Sequence, residues 1–276
     1  MQEEFVMEWE KLTYPRFAEA VEACDGVCIV PLGVIEGHAD HLPLGTDLLL
    51  ARAIALKAVD IEPAVVFPPY FFTQIFEARH LPGAIAINSR IMLDLLQNVC
   101  DEIARNGLKK ILLLNAHGGN RHFLQHFIMI QLEQPRDYVV YLPKPDAPDK
   151  DQTFTDAWRA MRESSIRDEH AGEGESSMVH AAHPELVDDV ELTYGQGEPM
   201  GRLAHLDDAN LYTAIGWYAD FPHHYSGRGE LGTREKGQFI MEHRARSVAR
   251  LIRLVKDDDT SAALQHEFFE RIVGRA

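Results

Sequence analysis

The sequence predicts an α/β protein built on an open, mostly parallel sheet covered by helices. Three observations carry that expectation. Short apolar runs alternate with longer segments whose apolar residues recur at helical spacing. The run at 110–114 holds four consecutive apolar residues, as in a strand buried on both faces of a parallel sheet. Polar clusters fall just past the carboxyl ends of two predicted strands, where such sheets bind ligands.

In chain order, residues 27–35 form the first buried strand. Thr46 can cap a helix running to residue 59, with Asp47 in its first turn. Residues 64–72 make a second apolar run, broken by Pro68 and Pro69. Ser89 is a good N-cap for a helix to Asn106, closed by Gly107. Its apolar stripe is Ile91, Leu95, Val99 and Ile103. The strand at 110–114, a helix over about 120–133 and a strand at 138–142 complete a β-α-β-α alternation. Residues 144–152 read as a loop, 153–165 and 172–182 as helices. Residues 193–224 are irregular and rich in Gly, Asp, His and aromatics. Thr233 can cap a long amphipathic helix from 234 to about 256. There is no internal repeat.

At 276 residues the chain can bury the core of one α/β domain or of two small ones. Its formal charge of −16 repels phosphate backbones and anionic lipid, so nucleic acid and membranes are not expected partners. Cys24, Cys28 and Cys100 are odd in number and lack Cys-x-x-Cys spacing, which predicts buried free thiols. The N-terminus, Met-Gln-Glu-Glu-Phe-Val, has no basic segment leading an apolar one, and no run approaches membrane-spanning length. The expected location is the cytoplasm.

The chemistry concentrates in three clusters. In Pro31-Leu-Gly-Val-Ile-Glu-Gly-His38, Glu36 and His38 follow a strand. In extended chain, residues two apart face one side, so both could aim at one point. Asp47, after a Pro-Leu-Gly turn, can return to that point. Converging oxygen and nitrogen donors suit Zn, Mn or Fe(II). Glu-x-His alone fits a surface loop equally well. In Asn115-Ala-His-Gly-Gly-Asn120, His117 lies just past a strand, and the glycines allow close approach of a ligand. A strand-to-helix turn capped by Asn120 accounts for everything there except the histidine. In His170-Ala-Gly-Glu-Gly-Glu-Ser-Ser, Glu173 and Glu175 sit where a helix dipole favours carboxylates. His170 before that turn is placed like a general acid or base. His41 is a candidate to orient a ligand; His122, His126, His180 and His183 fit packing or surface roles. Gly195-Gln-Gly-Glu-Pro-Met-Gly201 lacks the strand-turn-helix context of a phosphate loop. There is no Gly-x-Ser-x-Gly elbow and no Walker A sequence.

These three clusters, with Gly229-Glu-Leu-Gly-Thr-Arg-Glu-Lys-Gly237, resemble the creatininase (creatinine amidohydrolase) family in the same order along the chain. The resemblance runs from about residue 27 to 254. It implies a single three-layer α/β/α metal-hydrolase domain over 1–276, often assembled into hexamers. It implies two divalent ions, with Glu36, His38, Asp47 and His117 as ligands and Asp47 bridging. His170 matches the catalytic acid/base, and Glu175 falls at or beside the metals. Creatininase itself has Tyr-Glu after the second-cluster histidine, and that Glu is a ligand. Here the pair is Gly118-Gly119, so Glu175 is the expected substitute. The tryptophan that creatininase carries just upstream of the third cluster is also missing: Ser165-Ile166-Arg167 stands there, and Trp158 is further back. Creatinine is therefore not the expected substrate. The expected activity is metal-dependent opening of a cyclic amide or other C–N bond of a small molecule, with His170 delivering the proton. Two other reactions on the same centre are opening of a keto-inositol ring and deformylation of a formamide. A non-enzymatic metal-binding protein is the remaining alternative.

Overall fold

The computed structural model describes residues 7–144, 151–188, 190 and 197–274. Four strands, β1 (Val27–Leu32), β2 (Val65–Val66), β3 (Lys110–Asn115) and β4 (Val139–Tyr141), form one parallel sheet in the order β2-β1-β3-β4. The helices are α1 (Tyr14–Ala23), α2 (Thr46–Val59), α3 (Ser89–Arg105), α4 (Arg121–Ile130), α5 (Gln152–Met161), α6 (Glu173–Ala182), α7 (Ala204–Asp207), α8 (Gly216–Asp220), α9 (Arg234–Lys256) and α10 (Thr260–Val273).

The strand order dictates the layers. From β1 the chain moves one way to β2 through α2, then back across to β3 through α3. Right-handed crossovers place those two helices on opposite faces. Accordingly α2 and α9 pack on each other and on β1 and β3, while α3 packs on β3 away from them. The loops after β1 and β3 leave in opposite directions, which opens a crevice between them at the carboxyl end of the sheet.

β1 is buried over its whole length, yet it carries Pro31, which a central strand excludes unless its missing N–H faces no partner. Along β1 the amides of residues 29, 31 and 33 share one side, and Gly33 N donates to Tyr70 O there. Regular pairing with β2 covers only Cys28 and Ile29. Pro31 therefore lies beyond that ladder, next to the stretch broken by Pro68 and Pro69.

Several expectations shift in detail. The first strand ends at Leu32, so Glu36 and His38 lie in a loop rather than on a strand. The run at 64–72 contributes only the two residues of β2. Thr46 is the first residue of α2 after Gly45, and its hydroxyl donates to Pro43 O. Asn88, not Ser89, caps α3, accepting from Arg90 N. The buried face of α3 is Met92, Leu96, Cys100 and Ile103; Ile91 is 58% exposed. Gly107 does turn the chain, at φ +94. The helix expected at 153–165 is α5, capped by Asp151, whose carboxylate accepts from Phe154 N. Residues 145–150 of the expected loop, and residues 193–196 with Gly195, lie outside the described residues. Thr233 caps α9 as expected, accepting from Lys236 N, and the three cysteines are free and buried. Helices α1 and α10 were not anticipated from the sequence. Among the described residues no helix is long and apolar enough to cross a membrane.

Candidate metal centre

The loop from Gly33 to Gly45 carries Glu36 and His38 into the crevice. A Cβ at Gly33 would stand 2.4 Å from Leu48 N and 2.8 Å from Asp47 C. Only glycine lets the end of β1 press that closely on the first turn of α2, where Asp47 sits. The loop is tied down by Glu36 N to Leu44 O (2.9 Å) and Ile85 N to Ile35 O (3.0 Å). Across the crevice, the Asn115 amide donates to His117 O (2.7 Å), and buried Asn120 donates to Asn115 Oδ1 (3.0 Å) and Thr73 Oγ1 (2.8 Å). Those two asparagines fasten the turn that presents His117.

Glu36, His38, Asp47 and His117 are all buried; Glu36, Asp47 and His117 converge on one point, and His38 adjoins them through Asp47. His117 Nδ1 lies 2.9 Å from Glu36 Oε1 and 3.0 Å from Asp47 Oδ2. Neither contact has hydrogen-bond alignment, and both oxygens lack a hydrogen-bonding partner. Ligands about 2.1 Å from one ion and at right angles stand about 3.0 Å apart, so this spacing suits a shared cation. The other oxygen of Asp47, Oδ1, lies 3.3 Å from His38 Nε2. Asp47 thus turns one oxygen to each histidine. His38, His170 and Glu175 form a second group whose ligand atoms lie within 4.8 Å of one another.

The electrostatics tell the same story. Burial opposes the charge on every group here; at Glu36, His38, Asp47 and His117 neighbouring charges overrule it. His117 and His170 hold Glu36 well below the usual carboxylate range, and Glu36 and Asp47 lift His117 well above the usual imidazole range. His38, buried beside Asp47, rises to about 9. Burial pushes Glu175 up to about 7, with His38 pulling the other way and Asp47 adding to the rise. A nest of carboxylates with this need for positive charge, drawn here from protons on histidine, is what a divalent cation satisfies.

His170 is held differently. Its Nε2 lies 2.8 Å from Gly37 O, which can only accept, so Nε2 carries the proton and Nδ1 is bare. Burial, with His38 alongside, lowers it to about 3, so the ring is neutral at neutral pH. Glu175 accepts from Ala171 N (2.6 Å). Glu173 serves the fold: wholly buried, it binds Lys236 Nζ (2.6 Å) and Ser164 N (2.8 Å). His41 contacts Ser176 Oγ (2.7 Å) rather than any of the converging residues, so its expected part in orienting a ligand is not what the geometry gives. It pins its loop to α6 beside Glu175.

The sequence reading missed His224, which it left inside an irregular stretch. Trp217 Nε1 donates to His224 Nδ1 (2.7 Å), which leaves the proton on Nε2, 2.5 Å from Glu36 Oε2. The indole thereby fixes the tautomer that hydrogen-bonds the carboxylate. His224 holds φ +53, and Ala39 and Ala171, neighbours of His38 and His170, hold φ +51. Left-handed backbone at non-glycine residues costs energy and collects where side chains must be aimed. A second residue missed was the carboxylate Glu77: a Cβ at Gly119 would lie 2.2 Å from its Oε1, which is 3.8 Å from His117 Nε2. Glu77 occupies space that a side chain at 119 would need.

Asp47, His117, His170 and Glu175 open onto a cavity of about 540 Å³. Part of its wall is apolar and aromatic, with Leu203, Leu206, Leu211, Tyr212, Trp217 and Phe221, and part is polar, with Glu77, Arg167, Glu169, Asp207, Thr213 and Asp220.

Residues 10–252 match the family described as creatininase, creatinine amidohydrolase. The chain belongs to the creatininase family. Membership makes it a metal-dependent hydrolase. It is 24% identical to a creatinine amidohydrolase of Pseudomonas putida over 264 residues, 88% of this chain and 95% of that one. It is 30% identical to a mycofactocin precursor peptide peptidase of Mycolicibacterium smegmatis over 183 residues, 63% of this chain and 65% of the relative. A 3-dehydro-scyllo-inosose hydrolase of Thermotoga maritima matches at 23% over 270 residues, 89% of this chain and 82% of the relative. Among solved structures, a candidate creatinine amidohydrolase of Bacteroides fragilis superposes with TM-score 0.76 at 23% identity, covering 92% and 98% of the two chains. A creatininase structure gives 0.73 at 23% identity, covering 91% and 98%. Related creatininase structures include a manganese form and a variant designated Zn–Zn. The creatininase-like α/β fold expected from the sequence is the fold observed.

Proposed function

We propose that the protein is a binuclear hydrolase of amide C–N bonds. Glu36, Asp47 and His117 would hold one divalent ion; His38, Asp47 and Glu175 would hold the other. The observation that carries this reading is the divided carboxylate of Asp47, 3.0 Å from His117 on one oxygen and 3.3 Å from His38 on the other. The Zn–Zn designation of one related creatininase supports the count of two. The donor set, carboxylate and imidazole without thiolate, suits Zn, Mn or Fe(II).

When bound, such ions supply an activated water and a polarised carbonyl. The chain's own residues do the rest. Asp47 fixes the spacing of the two ion positions. His224, locked by Trp217, keeps Glu36 oriented. His170, with Nε2 committed to Gly37 O, offers its bare Nδ1 to take up the proton that the attacking water loses and pass it to the leaving nitrogen. Trp217, Phe221 and the leucines receive the apolar part of the substrate and exclude water from it. A cavity of about 540 Å³ falls in the range that encloses small organic molecules. The apolar stretch of the wall suits an amide or formamide with an apolar or aromatic flank, and the polar stretch keeps a hydroxylated keto-inositol as the second reading. The amidohydrolase and peptidase names of two relatives also point to amide bonds. We read residues 1–276 as one domain acting in a homo-oligomer, an assembly that light scattering would check.

Elemental analysis of the purified protein should find two transition-metal ions per chain, and chelation should abolish turnover on a panel of amides and formamides. Asp47→Asn should lose both ions and Glu175→Ala about one. Full activity in chelator sinks the proposal; loss of a single ion from Asp47→Asn removes its bridging role.

A further inference from the structure

A second cavity, of about 280 Å³, lies beside the carboxyl ends of β3 and β4. Its interior is apolar, with Ile54 from α2, Leu124 from α4 and Val248 from α9, all buried. Its charge comes from Arg121, Lys144 and Arg244. Among the described residues lining it there is no carboxylate. That is unexpected in a chain with 43 acidic and 27 basic residues, where a chance patch would be acidic. Lys144 and Arg244 are exposed, and neither makes a hydrogen bond or ion pair with a described residue. Arg244 also borders the hollow that contains His170 and Glu175, so the two spaces adjoin at that residue.

We propose that this cavity binds a small organic anion, a carboxylate or phosphate on an apolar body. Arg244 and Lys144 take the charge, and Ile54, Leu124 and Val248 enclose the body. A guanidinium and an ammonium that make no hydrogen bond or ion pair with a described carboxylate, the guanidinium sensing Glu175 only through space, suit such a ligand beside an apolar hollow. The ligand's apolar part gains from burial, and its charge is met by donors that break no hydrogen bond to a described residue to bind it. The proposal rests on the cavity and its charges and stands whether or not the metal centre cleaves amides.

The test is calorimetric titration of the metal-loaded protein with three probes of one shape: 4-ethylbenzoate, 4-ethylphenyl phosphate and 4-ethylbenzyl alcohol. At least one anion should bind and the alcohol should not; the tighter anion names the headgroup. Arg244→Gln should weaken that binding about tenfold or more, the scale of a lost charged hydrogen bond. Lys144→Gln should weaken it by less. Both side chains reach solvent, and denaturant melts of the two variants matching wild type show that the fold is kept. The Asp47→Asn variant should bind the anion as wild type does. The proposal is overturned if neither anion binds, if the alcohol binds equally well, or if Arg244→Gln leaves the affinity unchanged. It is also overturned if Asp47→Asn abolishes binding, because the anion would then be sitting on the metals.

Discussion

Removal of the His224 imidazole is a direct test of how the candidate centre is built. His224→Ala leaves Glu36 Oε2 buried without the donor that stands 2.5 Å from it. A hydrogen bond to a charged group contributes about 1.5–3 kcal/mol, which corresponds to an affinity change of roughly 10–150-fold. Side chains that orient metal ligands typically contribute about 10–100-fold, an independent figure that agrees. Metal affinity, measured by competition with a chromogenic chelator, should fall in that range. Backbone strain provides the control. At φ +53 alanine is strained much as histidine is, whereas glycine is relieved by about 1–2 kcal/mol. His224→Gly should therefore unfold at higher denaturant than His224→Ala and yet bind metal equally weakly. Trp217→Phe removes only the donor to His224 Nδ1, and roughly 2–10-fold is expected from a neutral bond. Wild-type metal affinity in His224→Ala would refute the reasoning. So would a metal affinity that tracks the stability difference between the alanine and glycine variants.

Three more outcomes follow from the same geometry. Gly33→Ala brings a Cβ to 2.4 Å from Leu48 N, so α2 must retreat by about 1 Å. Stability should drop by about 1–3 kcal/mol and metal occupancy should fall with it, read by denaturant melts and elemental analysis; an unchanged metal content would mean Asp47 is not placed by that contact. His170→Ala should keep its metals while turnover falls about 10²–10⁴-fold, and loss of metal instead would make His170 a ligand. His41 is lowered by burial from 6.5 to about 4, so the fold favours its neutral form. Above pH 6.5 folded and unfolded chains are both neutral there; as pH falls from 6.5 towards 4 only the unfolded chain gains the proton, and stability drops by up to about 3 kcal/mol. His41→Gln should flatten that part of the pH–stability curve, measured by urea unfolding at pH 7 and 4.5, and an identical slope in the variant would contradict the assignment.

The residues most legible in the sequence were those whose neighbours in the chain also explain them. Glu36, His38, Asp47, His117, His170 and Glu175 lie at the ends of apolar or helical segments, and the structure brings all six together. The route was partly misjudged. Glu36 and His38 reach the crevice from a loop held to Leu44, not from strand alternation, because β1 stops at Leu32. His224 and Glu77 could not be found by period or capping, since each owes its place to contacts far away in the chain: His224 is 188 residues from Glu36. A histidine seven residues after a tryptophan was the only local hint, and it means nothing until the fold pairs their nitrogens. In α3 the stripe was displaced by one residue because both Ile91 and Met92 fit a helical period; contact with the sheet selected Met92.

The Trp217–His224–Glu36 connection has a consequence for anyone redesigning the pocket. Leu203, Leu206 and Leu211 line the cavity without touching the residues that would hold metal, so new side chains there would change what is admitted. Trp217 is different, since its ring faces the same cavity while its N–H sets the proton on His224. A library that randomises position 217 together with the leucines would confound altered recognition with altered metal retention. Variation confined to positions 203, 206 and 211, with 217 held as tryptophan, separates the two and leaves the chemistry loaded while selectivity is explored.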